Sequence, residues 1–267
     1  MQEGLEIIVC VKQVPDPEGP PSAFVVDSEA LRVVPKGIPP VISPFDENAL
    51  EVALRLKEAH GGSIALLSAG SGISQAVMLK AMATGADELL LVEDELFDCE
   101  GPDSSSTAAL LAAAIRKKGG FDLILTGRQA ADTNSGQVGL GIAQMLDVPA
   151  VSLAQKVEVF DGEVTVERVL PDGHEIVRVT LPALVTISHE VGDLRYPRMA
   201  DIKTAKERPR TKWSAGDLGV EPASSVRARI LELSQPVRER QCCIVDGDTP
   251  EEAGERLALK LREAKLL

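Results

Sequence analysis

Along the first 150 positions the apolar residues fall into two alternating kinds of group. Short continuous runs at residues 5–11, 63–68, 88–92 and 123–126 suit strands buried on both faces. Between them apolar residues recur at helical spacing: Ala49, Leu50, Ala53, Leu54 and Leu56; Ala76, Val77, Leu79, Ala81 and Met82; Ala108, Leu111, Ala112 and Ile115. Strands alternating with helices of this length predict right-handed βαβ units and a parallel sheet. A long Pro-rich excursion follows the first strand and carries a small hairpin at residues 23–34. After Pro149 the period changes to two. Residues 155–160, 163–169 and 175–181, joined at Asp161-Gly162 and Asp172-Gly173, predict an antiparallel meander, and residues 182–188 a further buried strand. Residues 200–210 read as a solvated helix. From Thr211 periodicity fades until an amphipathic helix capped by Thr249, with residues 226–234 a strand or extended arm.

The fold class is therefore α/β: a doubly wound, mostly parallel, Rossmann-like sheet with an antiparallel meander and a C-terminal arm. Residues 1–210 form the α/β domain. Residues 211–267, with little core of their own, are expected to form an arm that packs on a partner chain rather than folding back on the same domain.

Two places in this pattern suggest chemistry. Residues 123–139 begin as a strand, break at Gly127, pass through small and polar residues, and open a helix. Such a junction holds phosphates through free N–H groups and the positive helix end. Ser135 suits the helix cap, Gly136, Gly139 and Gly141 leave room for a close ligand, and Arg128 can pair with a phosphate. The loop is neither a Walker motif nor a full G-x-G-x-x-G, so an ordinary strand-to-helix connection stays open. The second place is Ser43-Pro44-Phe45-Asp46, a sharp helix start. Ser43 is the expected N-cap and Asp46 completes a box-like cap. In doubly wound order the first and fourth strands lie side by side at the switch point, which brings Cys10, Ala69, residues 127–138 and the Ser43 helix end to one crevice.

Composition narrows the classes. A net charge of −13 disfavours nucleic acid and anionic membrane surfaces. No apolar run nears the roughly 18 residues a membrane span needs, and the acidic start resembles no targeting peptide, so a cytoplasmic location is expected. The four cysteines, Cys10, Cys99, Cys242 and Cys243, match no metal spacing, and the last two are read as buried or incidental thiols. The three histidines are far apart. No catalytic residues and no metal site are assigned.

The motifs together resemble a family, the β subunit of electron-transfer flavoprotein. The resemblance rests on Val-Lys-Gln-Val-Pro-Asp after the first strand, Ser43 through Lys57, Gly127 through Gly139, the segments 166–168 and 175–186, Leu194 through Lys206, and Gly216-Asp-Leu-Gly219. It spans almost the whole chain in order. It implies a heterodimer with an α subunit that holds most of a redox-active FAD. The β chain would bury one further adenine nucleotide, AMP in the mitochondrial type or a second FAD in electron-bifurcating members. Carried over by position, the implied nucleotide-contact residues are Cys10, Ser43, Pro44, Phe45, Asp46, Ala69, Gly127, Arg128, Gln129, Ala130, Asp132, Thr133, Asn134, Ser135, Gly136, Gln137 and Val138. Arg195, Tyr196 and Met199 fall in the implied partner-docking loop.

The implied partners are an acyl-CoA dehydrogenase-type flavoenzyme upstream and a quinone reductase, ferredoxin or flavodoxin downstream. The chain departs from the mitochondrial pattern at Met199, where that type has Leu, and at residues 191–194. Val-Lys-Gln-Val-Pro-Asp, Pro-Phe-Asp and Ser135-Gly-Gln-Val-Gly lean toward the bifurcating type, hence toward FAD over AMP. Activity as an NADH-dependent bifurcating oxidoreductase depends on that second FAD. The alternative is an adenine-nucleotide-binding regulatory protein without redox function.

Overall fold

The computed structural model describes residues 4–94, 97, 103–221, 226–236 and 242–267. Cys99 and most of the acidic loop expected at 93–103 lie outside the described residues. In chain order the strands and helices are β1 (Leu5–Cys10), β2 (Gln13–Pro15), β3 (Phe24–Asp27), β4 (Arg32–Pro35), β5 (Pro40–Ile42), α1 (Pro44–His60), β6 (Gly62–Gly70) and α2 (Gln75–Met82). They continue with β7 (Glu88–Glu93), α3 (Ser104–Lys118), β8 (Leu123–Gly127), α4 (Val138–Leu146), β9 (Ala150–Phe160), β10 (Glu163–Leu170) and β11 (Gly173–Thr180). Last come β12 (Ala183–Ile187), α5 (Met199–Ala205), β13 (Arg210–Trp213) and α6 (Pro250–Glu263).

Nine strands form one sheet in the order β11-β10-β9-β12-β8-β1-β6-β7-β13. Strands β12, β8, β1, β6, β7 and β13 run parallel, and β9, β10 and β11 form the antiparallel meander. Continuous apolar strands at the centre follow from cover on both faces. One face buries Ile7, Val9, Leu66 and Leu125 under α1 and α2, and the other buries Ile8, Leu67 and Ile124 under α3 and α4. The chain winds outward from β1 in both directions, and Cys10 sits opposite Thr126 across the β1–β8 ladder. The expected doubly wound fold, with its switch point between the first and fourth parallel strands, is present.

Several local expectations are corrected. Ser43 occupies the N-cap position of α1, but its side chain does not cap; neither does Ser135 cap α4, whose N-cap residue is Gln137. Both hydroxyls serve tertiary partners described below. Gly139 and Gly141 make room for packing, not for a ligand. A Cβ at Gly139 would meet Thr126 Oγ1 at 2.7 Å, and one at Gly141 would meet Ala108 Cβ at 2.9 Å. These two glycines let α4 press onto the sheet and onto α3. The helix expected over 200–210 ends at Ala205, and Arg210–Trp213, expected to be the end of that helix and the start of an aperiodic stretch, extend the sheet as β13 beside β7. Of the two alternatives for 226–234, a strand or an extended arm, the strand is not formed.

The chain divides into two compact units, Met1–Leu233 and Ser234–Leu267. The second contains α6, whose start is capped by Thr249 Oγ1 accepting from the Glu252 N–H at 3.3 Å. Helix α6 buries no residue and leaves Leu257 and Leu259 exposed. Cys242 and Cys243 are exposed rather than buried, and Lys260 Nζ lies 3.0 Å from the Cys243 sulfur. Among the described residues no helix is long and apolar enough to cross a membrane.

Candidate functional site

The C-terminal ends of β1 and β8 meet the N-terminal end of α1, and Asp46 joins all three. Its carboxylate accepts from the Lys12 N–H at 2.8 Å and from the Gly127 N–H at 3.0 Å. One side chain thus ties together the chain leaving both central strands. Ser43, fully buried, accepts through Oγ from the Ala131 N–H at 3.3 Å. The residues that looked like a capping box therefore pin the 127–138 loop to α1, because the oxygens that suit a free helix N–H suit a loop N–H equally well.

Burial pushes the Asp46 carboxyl up to about 7, against the pull of the Lys12 and Gly127 N–H groups and the Lys12 charge; nearby Asp132 adds to the rise. A folded value above the ordinary carboxylate value near 4 means that the native state holds this proton more tightly than the unfolded chain. Asp46 then contributes stability that is complete below about pH 4 and is lost as pH rises through about 7. Urea titrations of wild type and Asp46→Asn from pH 4 to 8 test this. The wild type is expected to lose stability relative to the variant across that window, and parallel curves would show that Asp46 does not titrate there.

The other expected residues take different places. Cys10 is buried in the core on the α3 and α4 face, and burial, then the Asp46 charge, push its thiol up. Pro44 is exposed, while Phe45 lies under the guanidinium of Arg128, 4.7 Å from the ring centre. Ala69 is half-buried at the end of β6 on the α3 and α4 face. In the loop, Arg128 N–H donates to the Ile187 carbonyl at 2.9 Å, and Gln129 Nε2 donates to Asn134 Oδ1 at 2.9 Å. Asn134 and Gly136 both have left-handed backbones, with φ of 52° and 63°. The Asn134 N–H closes a turn onto the Ala130 carbonyl. Asp132, Thr133, Ser135 and Gln137 are exposed and Val138 is half-buried. Ser135 Oγ accepts from Ser104 Oγ at 3.2 Å, at the start of α3.

Two residues outside the expected nucleotide-contact set join this cluster. Lys12 Nζ pairs with Asp132 at 2.6 Å, and Ser104 holds Ser135. A lysine two residues beyond the first strand was the available signal for Lys12. Asp103 caps α3 through the Ser106 N–H at 2.8 Å and also accepts from the N–H groups of Arg227 and Ala228 at 2.6 and 2.7 Å. The segment beginning at 226 is thereby fastened beside the same loop.

The donor set fits a nucleotide phosphate. Among the described residues the N–H groups of Val138, Gly139 and Leu140, at the start of α4, have no partner in the chain. Arg128 Nε is buried without a hydrogen bond. Gly136 turns the loop with a left-handed backbone, and a Cβ there would meet only the Arg128 carbonyl, at 3.5 Å. Free amides at a helix start, an arginine and a glycine turn constitute the usual chemistry for holding an anion. No group of three or more His, Cys, Asp or Glu among the described residues is arranged to hold a metal ion.

The docking-loop residues lie elsewhere. Tyr196 and Met199 are exposed, at 91% and 84%. Arg195 is turned inward, with its guanidinium on Glu51 and Glu58 of α1.

Residues 30–218 match the electron transfer flavoprotein domain family. The chain is 34% identical, over 98% of its length and all of the relative's, to the caffeyl-CoA reductase-Etf complex subunit CarD of Acetobacterium woodii. It is 36% identical to the electron transfer flavoprotein subunit beta of Clostridium acetobutylicum, over 82% of both chains. It is 34% identical to the protein FixA of Azorhizobium caulinodans, over 84% of this chain and 80% of the relative.

Proposed function

The chain belongs to the electron transfer flavoprotein family as a β subunit, and from that premise we propose that it pairs with an α subunit to carry electrons between flavoenzymes. In this reading most of one FAD is held by the α subunit and a second adenine nucleotide, FAD, lies in the crevice between β1 and β8. The observation that carries the nucleotide site is the pinning of the 127–138 loop to α1 through Asp46 and Ser43, beside unpaired amides and the unpaired Nε of Arg128. FAD supplies the electron chemistry when bound, and the protein supplies its placement.

Gly136, the α4 amides and Arg128 would hold the phosphates. Phe45, already stacked on Arg128, would close the α1 side, and Lys12, paired with Asp132, would set the charge at the mouth. Of the remaining proposed contacts, Gln129, Ala130, Thr133, Asn134, Ser135, Gln137 and Val138 belong to the same loop and the start of α4, while Cys10, Ala69 and Pro44 lie at the ends of β1 and β6 and the start of α1. The choice of FAD over AMP is supported by likeness to CarD along nearly the whole chain, whose name places that protein in a caffeyl-CoA reductase complex. The proposed partners are an acyl-CoA dehydrogenase-type donor and a quinone reductase, ferredoxin or flavodoxin acceptor. Tyr196 and Met199 form the outward docking pair. The C-terminal arm is proposed to pack on the α subunit, supported by the uncovered Leu257 and Leu259 of α6.

Co-expression with an electron transfer flavoprotein α subunit, followed by a visible spectrum and reduction by a partner dehydrogenase, tests the reading. A yellow complex that accepts electrons is expected; a colourless complex that accepts none would overturn it. One FAD and one AMP per heterodimer would keep the carrier and remove bifurcation.

A further inference from the structure

We propose that Glu51 and Arg195 form a positioning clamp that sets the shape of residues 191–199 before any partner arrives, so that Tyr196 and Met199 are presented outward. The inference rests on the reading of Tyr196 and Met199 as the docking pair.

The clamp is built on one stripe of α1. Asn48, Glu51, Arg55 and Glu58 recur at spacings of three and four and so share a face. Asn48 Nδ2 donates to the Gly192 carbonyl at 2.7 Å, and Arg55 Nη1 donates to the Val191 carbonyl at 3.1 Å. Glu51 is buried, at 5% exposure. Arg55 Nε donates to its Oε1 at 3.0 Å, and Arg195 reaches it from its backbone N–H at 3.1 Å, Nε at 3.0 Å and Nη2 at 2.9 Å. Glu58 takes the outer edge of the same guanidinium.

Two carboxylates and a planar fork fix both the side chain and the backbone of Arg195. Immediately beyond that anchor the two large side chains point away from the protein. Val191 is buried and Leu194 packs against the core, which covers α1, yet Tyr196 and Met199, the loop's two largest apolar side chains, stay exposed while Arg195 is held on the carboxylates. Holding a loop in its bound shape lowers the entropy lost on association, so the clamp acts on affinity without touching the partner. Arg195 is therefore a positioning residue rather than a contact.

The test uses the intact heterodimer and a partner flavoenzyme, measuring KM for the carrier, kcat and bound nucleotide. Glu51→Gln and Arg195→Lys are each expected to raise KM about tenfold with kcat and nucleotide content held. Neither should add to the rise produced by Met199→Ala, because all three act through one loop. If Met199→Ala raises KM and the two clamp variants do not, the clamp is wrong. If Met199→Ala has no effect, the docking reading fails and the clamp falls with it. Should Glu51→Gln fail to assemble, leaving buried charge unpaired, Arg195→Lys decides, since it keeps the charge and loses only the fork.

Discussion

Gly127→Ala is expected to destabilise the protein by about 3 kcal/mol or more, the upper end for overpacking, and to abolish nucleotide binding with it. A Cβ at this position would stand 2.6 Å from Asp46 Oδ1, 2.6 Å from the Phe45 carbonyl carbon and 2.7 Å from Phe45 Cβ. None of these is the free end of a flexible side chain. Asp46 is held by two N–H groups, and Phe45 lies in the first turn of α1. The strand cannot retreat either, because β8 is hydrogen-bonded to β1 on one side and β12 on the other. The added methyl must displace the start of α1, which breaks the Asp46 junction and releases the loop pinned by Ser43. Urea denaturation of the isolated chain reads the first effect. A change below about 0.5 kcal/mol, the size of an ordinary surface substitution, would show that the α1 end yields freely and does not define the site.

The second large effect is expected at Gly136. Its φ of 63° is left-handed, and a Cβ there would find only the Arg128 carbonyl, at 3.5 Å. Space is available, so the cost of Gly136→Val is conformational. A β-branched residue in this region is strongly disfavoured, by roughly 1–2 kcal/mol. The loop would relax by rotating its backbone, which turns it away from the amides at the start of α4. The core lies beneath and does not change. The expected result is a folded heterodimer that keeps the flavin proposed for the α subunit and binds the nucleotide proposed for this chain at least tenfold more weakly. Equilibrium dialysis with FAD on the stripped complex measures this. Loss of both nucleotides would point to disassembly, and unchanged affinity would place the phosphate elsewhere.

The two kinds of prediction differ in how much of their basis was legible in the residues. The strand and helix alternation through Leu146 reads directly, because apolar runs buried on two faces and helices ended by glycine leave unambiguous periods. The switch point follows from that order alone. The end of the fold was harder. Strand β13 is a four-residue edge strand whose burial alternates weakly, so Arg210–Trp213 carries no readable period. Strand β9 begins at Ala150, ahead of its visible alternation, because its first residues pair with β12 and its later ones with β10.

The site was legible in position more than in detail. Ser43, Asp46 and Ser135 all look like caps, since a short polar side chain before an apolar run has that pattern. Their actual partners, Ala131, Lys12, Gly127 and Ser104, are between 31 and 88 residues away in the chain. Gly139 and Gly141 likewise resemble ligand clearance and serve helix packing. Arg195 shows the same limit, for the carboxylates it meets lie 144 and 137 residues earlier. Local spacing can name an oxygen or a cation, but which group satisfies it is decided by tertiary packing.

The central claim is that this β chain holds its own FAD between the 127–138 loop and the start of α1. The most direct measurement is the nucleotide released by acid from purified heterodimer, quantified for wild type and Gly136→Val side by side. Two FAD are expected per wild-type heterodimer and one in the variant; a variant that retains the full wild-type complement of nucleotide would place the second FAD elsewhere.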